Sequence, residues 1–210
     1  MEREPHDGPV AKPLPHWLLE GVFIVVSVAL GFALAQYGER RDERELADRV
    51  LTSVVAEVEH NRAILGPLVP IHGAWVQALS QPDTSRSGRS ALDVYFAARP
   101  QLPVEAESPF PFLRRSAWDA AVSGGALRLI DYEVAEALSE IYRMQEIATD
   151  NVERLANGAL SSPATYDPAN RAASVRLLWL TLADIQSAEA LLLTLYERHL
   201  PAVRTAARVQ

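Results

Sequence analysis

The sequence predicts an all-α protein in which an N-terminal transmembrane helix continues into a long helix and is followed by an antiparallel helical bundle. Three observations carry that prediction. Trp17 to Tyr37, WLLEGVFIVVSVALGFALAQY, is an almost unbroken apolar run. Leu46, Val50, Val54 and Val58 then recur every four residues, with neither proline nor glycine between Glu39 and Leu65. Towards the other end, Leu178, Ile185 and Leu192 repeat at seven-residue spacing with Ala188 and Leu195 between them, the pattern of a packing seam.

The elements follow in order. Residues 1–15 carry Pro5, Pro9, Pro13 and Pro15 among mixed charges and few large apolar groups, a composition that predicts a disordered tail. Residues 16–38 are the transmembrane segment: roughly twenty helical residues at about 1.5 Å each cover about 30 Å, the thickness of a bilayer core. Glu20 is the only ionisable residue inside the run and falls in its first turn, within reach of headgroups and water, so it costs little there. As an intramembrane polar residue it is a candidate for an interhelical hydrogen bond. Trp17 and Tyr37 frame the span as interfacial rings. Ser27, Gly31 and Ala35 recur every four residues and give one side of the helix a shallow groove, a candidate association face for a second copy. A cleaved secretory signal is the rival reading, because Ala33-Leu34-Ala35 before Gln36 has the small-x-small form. Against it stand a tail with only Arg3 and Lys12 as cations and the lack of a helix breaker after the apolar run.

Residues 39–66 form the juxtamembrane helix, stopped by Gly66-Pro67, so that one rod of about fifty residues is expected, half in lipid and half in water. Residues 67–210 make the helical bundle that packs on it. Within this region Leu68 to Ser80 predicts a short helix with Trp75 and Leu79 inward, Gln81 to Ser90 a polar loop, and Ala91 to Ala98 a second short helix. The proline-rich stretch from Arg99 to Pro111 predicts an extended connection, with Phe110 and Phe112 turned to the core. Ser116 caps a helix that stops at Gly124-Gly125, and Asp131 caps another that runs to about Asn157 with Val134, Leu138, Ile141, Ile147 and Leu155 on its apolar side. Gly158 to Asn170 is a loop, and Arg171 to His199 the last helix. That helix is apolar enough to suggest a second span, but Asp184, Gln186 and Glu189 would fall near its middle.

Composition bounds the function. Once tail and anchor are removed, about 170 of the 210 residues remain, enough for one domain with a real core. A net charge of −7 argues against nucleic acid, which wants clustered cations. The absence of cysteine removes disulfides, thiolate zinc sites and cysteine nucleophiles together. Glu57-Val58-Glu59-His60 contains one Glu-x-x-His, but a di-iron bundle needs a second copy and further carboxylates, so these residues predict a solvated helix face. Ser123-Gly124-Gly125 lacks the Gly-x-Ser-x-Gly frame of a nucleophile elbow, and no glycine-rich phosphate loop is present. Trp75, Trp118 and Trp179 are core residues on this reading. No catalytic residue, metal ligand or cofactor is predicted.

One resemblance adds to this. The pattern around LLEGVFIVV, the run GERRDERELADRVLTSVVAEVEHN and the later SAWDAAVSGGALRLID resemble a bacterial family of single-pass membrane proteins with a helical domain of unknown function. The matching positions are Glu20, then Glu57 with Asn61, then Ala117-Trp118 through Ser123-Gly124 to Leu129-Ile130. The resemblance implies an anchor and a helical soluble part and brings no activity with it.

The expectation is therefore a protein of the bacterial inner membrane acting through interaction, as a scaffold or sensor-like module, with the bilayer, a second copy and an unidentified protein as partners. The alternative is a tethered small-molecule-binding or enzymatic bundle with a pocket around Trp118, Arg128 and Tyr142. Arg40, Arg41, Arg44 and Arg49 after the span, against Arg3 and Lys12 before it, place the soluble domain in the cytoplasm.

Overall fold

The computed structural model describes residues 16–81, 89–102 and 108–209, with side chains from Glu20 to Ala207. The expected disordered tail, the Trp17 side chain, most of the Gln81–Ser90 loop and part of the proline-rich connection lie outside the described residues. Among those described, every regular element is a helix. The chain divides into two compact units, Met1–Glu45 and Leu46–Gln210.

The first unit consists of the early part of α1 (His16–Leu65), whose remainder belongs to the second. From Val22 to Leu34 the large apolar side chains all stand exposed, Phe23 by 73% and Phe32 by 74%. By length and composition this helix is long and apolar enough to cross a membrane, and none of its most apolar 18-residue window is buried. The last long helix passes the same test, but a third of its window is buried.

In the second unit α1 ends at Leu65, where Gly66-Pro67 interrupts the chain, and α2 (Leu68–Ser80) and α3 (Ala91–Ala98) follow with the expected bounds. Ser90 opens α3 with a capping box: its hydroxyl accepts from Asp93 N at 3.2 Å and the Asp93 carboxylate accepts from Ser90 N at 2.9 Å. Next come α4 (Ser116–Ser123) and a single 3₁₀ turn, Ala126–Leu129. Gly125 between them adopts φ +67°, the left-handed conformation that glycine reaches without strain. Asp131 caps α5 (Tyr132–Arg154) by accepting from Glu133 N at 2.9 Å.

The region expected as a loop is more ordered than its composition suggests. A π-helical turn, Leu155–Leu160, extends α5 and turns Leu155 and Ala159 inward. A short α6 (Pro163–Tyr166) and a 3₁₀ turn, Pro168–Asn170, then lead into α7 (Arg171–Val209). Thr165 and Ser174 tie this corner down by donating to the carbonyls of Ala159 and Ala164. Against the expected stop at His199, α7 continues through Pro201. Leu200 and Val203, both buried, hold the turn in place although proline removes one ladder bond.

Two apolar clusters fill this unit, and α7 belongs to both. Leu51, Val54, Val58 and Leu65 join Leu138, Ile141, Leu192 and Tyr196 in one; Trp75, Leu79 and Tyr95 join Leu155, Leu178, Leu182 and Ile185 in the other. The expected seam of α7 is thus buried throughout, each large side chain contributing about 1.5 to 3 kcal/mol. Three expected core residues are not in it. Leu46 and Ile147 lie at the edges of their stripes and are exposed, and Phe112 is 95% exposed while Phe110 packs against the second cluster.

Candidate functional site

Among the buried polar groups of the second unit, five, Glu57, Asn61, Gln145, His72 and Glu189, form two clusters beside one cleft. The first begins at Glu57 on α1. This residue, expected on a solvated face, is buried, and the correction has a physical cause: its carboxylate closes the open N-terminus of α4. Oε2 accepts from Ser116 Oγ at 3.1 Å and Ala117 N at 2.9 Å, and Oε1 from Trp118 N at 3.3 Å. Ser116, expected as the cap, is the first helical residue, and Arg115 at the cap position makes no capping side-chain bond. A carboxylate at first-turn N–H groups satisfies orphan donors and meets the positive end of the helix dipole. Tyr142 of α5 donates to the same Oε1 at 2.7 Å and stacks on Trp118, ring centroids 4.7 Å apart at 7°. Burial pushes the Tyr142 hydroxyl well above the ordinary tyrosine value, and the bond to Glu57 pushes the same way.

One turn further along α1, Asn61 reads the backbone of Arg114 as a β-strand would. Its Oδ1 accepts from Arg114 N at 2.8 Å and its Nδ2 donates to Arg114 O at 2.7 Å. Gln145 of α5 donates to the same carbonyl at 2.8 Å and accepts from Asn61 at 3.1 Å and from the Tyr196 hydroxyl at 3.2 Å. Such a network costs little only when its members are all partnered, as these are.

The second cluster is His72 of α2 with Glu189 of α7. His72 is fully buried; its Nδ1 lies 2.5 Å from Glu189 Oε2 and its Nε2 lies 2.8 Å from the Pro109 carbonyl. A carbonyl only accepts, so the bond to Pro109 is made by a ring that carries its hydrogen on Nε2. Phe110 stacks on the His72 ring at 5.0 Å. The strap from Pro109 to Arg114 is therefore held at both ends by buried side chains of α1, α2 and α5.

Beneath that strap runs a cleft of about 400 Å³, within the range of small-molecule pockets. Leu65, Phe110, Phe112 and Leu113 give its apolar wall, α5 presents Glu146, Asp150 and Glu153, and Glu189 lies at its back.

The residues singled out from the sequence fall in different places. Glu20, Ser27, Gly31 and Ala35 are all exposed on the first unit's helix; Ser27 donates to its own helix at Phe23 O, 2.8 Å, and beyond the adjoining backbone of its own helix nothing lies within 4 Å of where a Gly31 side chain would begin. Trp118 and Tyr142 meet as a buried stack, and Arg128 is exposed. Trp75 is core, and Trp179 is half-buried with its Nε1 enclosed and unpartnered. Comparison with protein families, with curated proteins and with solved structures finds no match for this chain.

What sequence reasoning missed is that Asn61, His72, Gln145 and Glu189 are buried. A signal was available: Ala47, Leu51, Val54, Val58, Asn61, Leu65, Leu68, His72, Trp75 and Leu79 follow one alternation of three and four residues, all of them buried. Asn61 and His72 occupy core positions of that pattern, and Glu189 does the same between Ile185 and Leu192.

Proposed function

We propose that this chain is a single-pass membrane protein whose helical domain, arranged as an antiparallel bundle, acts by binding a partner. The observation that carries the reading is the exposed run from Val22 to Leu34, where valine, isoleucine, leucine and phenylalanine face outward all round with nothing over them. An apolar surface of that extent in water is an aggregation hazard, and a bilayer is the solvent that removes it. The resemblance to single-pass bacterial proteins supports the same placement, in the inner membrane. The arginines that follow the span favour a cytoplasmic domain. Ser27, Gly31 and Ala35 offer the face through which two copies would pair.

Alkaline carbonate extraction tests the anchor. The full chain stays with the membranes, whereas Val25→Arg with Leu30→Arg, costing about 2.5 to 3.5 kcal/mol for each arginine near the bilayer centre, moves it to the supernatant. Recovery of the unaltered chain in the soluble fraction, or of a protein beginning at Gln36, overturns the reading. A reporter fused after Gln210 that is active only in the periplasm overturns the orientation.

A further inference from the structure

Going beyond this anchoring role, we propose that the cleft under the Pro109–Arg114 strap binds a small organic cation: a protonated amine carried on an apolar or aromatic body. The site is built rather than merely acidic. Its wall is apolar and its opening carries Glu146, Asp150 and Glu153, three carboxylates at four- and three-residue spacing on one face of α5. None of the three is in an ion pair, among the described residues. The one cation of the wall, Arg115, is engaged by Asp119 through two bonds of 3.0 and 3.1 Å, and Glu189 is committed to His72. The wall therefore carries an uncompensated negative charge above an apolar floor, the complement of an amine on an apolar body.

Phe112 adds an aromatic group to the lining of the same cleft. A phenylalanine 95% exposed gains nothing from folding, yet it is not loosely placed. The strap is fixed three residues before it, by the His72 bond to Pro109 O, and two residues after it, by the two Asn61 bonds to Arg114. An exposed ring that lines the same cleft as the carboxylates offers its face to a cation, and the tied strap means little backbone ordering is required on binding.

The test uses the full chain in a neutral detergent, with 2-phenylethylammonium, 2-phenylethanol and phenylacetate as probes of closely matched size and three charges. Titration is followed by calorimetry. The ammonium binds with saturation, about tenfold tighter than the alcohol, and the carboxylate does not bind. Asp150→Asn with Glu153→Gln weakens the ammonium about tenfold, and Phe112→Ala about fivefold, with unchanged melting temperatures because all three side chains are exposed. The double variant in the same micelles subtracts partition of the probes into detergent. Equal affinity for alcohol and ammonium, no saturable binding, or an ammonium affinity indifferent to the double variant overturns the proposal. Any of these leaves the anchor reading intact, since carbonate extraction does not depend on the cleft.

Discussion

The Glu57 cap gives the sharpest prediction. Tyr142→Phe deletes one hydroxyl, keeps the ring on Trp118, and removes a 2.7 Å bond to a carboxylate. Bonds to charged groups are worth about 1.5 to 3 kcal/mol, and for a unit of this size that lowers the melting temperature by about 3 to 12 °C. Glu57→Ala removes the cap as well and strands the Tyr142 hydroxyl. One buried unpaired hydroxyl at about 1 to 3 kcal/mol and one lost cap at about 1 to 2 kcal/mol give about 2 to 5 kcal/mol.

The two changes do not add. On the Glu57→Ala background the tyrosine hydroxyl has no carboxylate to serve, so Tyr142→Phe becomes neutral or stabilising there. The coupling energy from the four-member cycle is about 1.5 to 3 kcal/mol. Thermal unfolding of the full chain in detergent, followed by near-ultraviolet circular dichroism, measures all four members, with the Trp118–Tyr142 stack as the optical reporter. Additivity within about 0.5 kcal/mol would show that Glu57 and Tyr142 act independently and would refute the cap as described.

Three further outcomes follow from the same structure. Burial raises Tyr95, Tyr142 and Tyr196 above the ordinary value of 10.0, so the unfolded chain loses those protons first. The contribution is fully present below pH 10 and is lost as pH rises beyond it, by up to about 1.4 kcal/mol per pH unit for each tyrosine; melting temperature from pH 8 to 11 shows the fall, and Tyr142→Phe makes it shallower. His72→Ala leaves Glu189 enclosed without its partner and frees Pro109, costing about 3 to 5 kcal/mol and opening the strap to limited proteolysis, whereas an unchanged digestion pattern would deny the ring its holding role. Gly125→Ala forces a side chain into the left-handed region and costs about 1 to 2 kcal/mol by the same melting assay, while no loss would contradict the turn.

How far the fold was legible depended on whether the determining force was local. The bounds of α2 and α3 lie in the order of residues, since Gly66-Pro67 stops one helix and Ser90 with Asp93 starts another. The stop at Gly124-Gly125 and the Asp131 cap are read the same way. The all-helical class and the α7 seam follow from periodicity alone. The corner from Leu155 to Asn170 was not legible, because its order comes from Thr165 and Ser174 reaching carbonyls that no sequence spacing reveals. Phe112 was misjudged because which of two phenylalanines in Pro-Phe-Pro-Phe turns inward is decided by the anchors at Pro109 and Arg114.

The polar residues that organise the domain were hidden for a more general reason. Charge or amide character ordinarily marks a position as solvent-facing, and Glu57 was placed outside on that ground. Yet Asn61, His72, Gln145 and Glu189 sit at positions that apolar periodicity assigns to the interior, and each is partnered by an element distant in sequence: Asn61 by Arg114, Glu189 by His72, Gln145 by Tyr196. A buried polar group costs several kcal/mol unless its partner arrives, so such residues fit only one arrangement of the helices around them. All of them bear on the Pro109–Arg114 strap, directly or through one neighbour. Apolar side chains in their places would fill the same volume and leave the strap free to slide. The polar positions in the core pattern therefore specify where a loop is fixed, and through it the shape of the cleft.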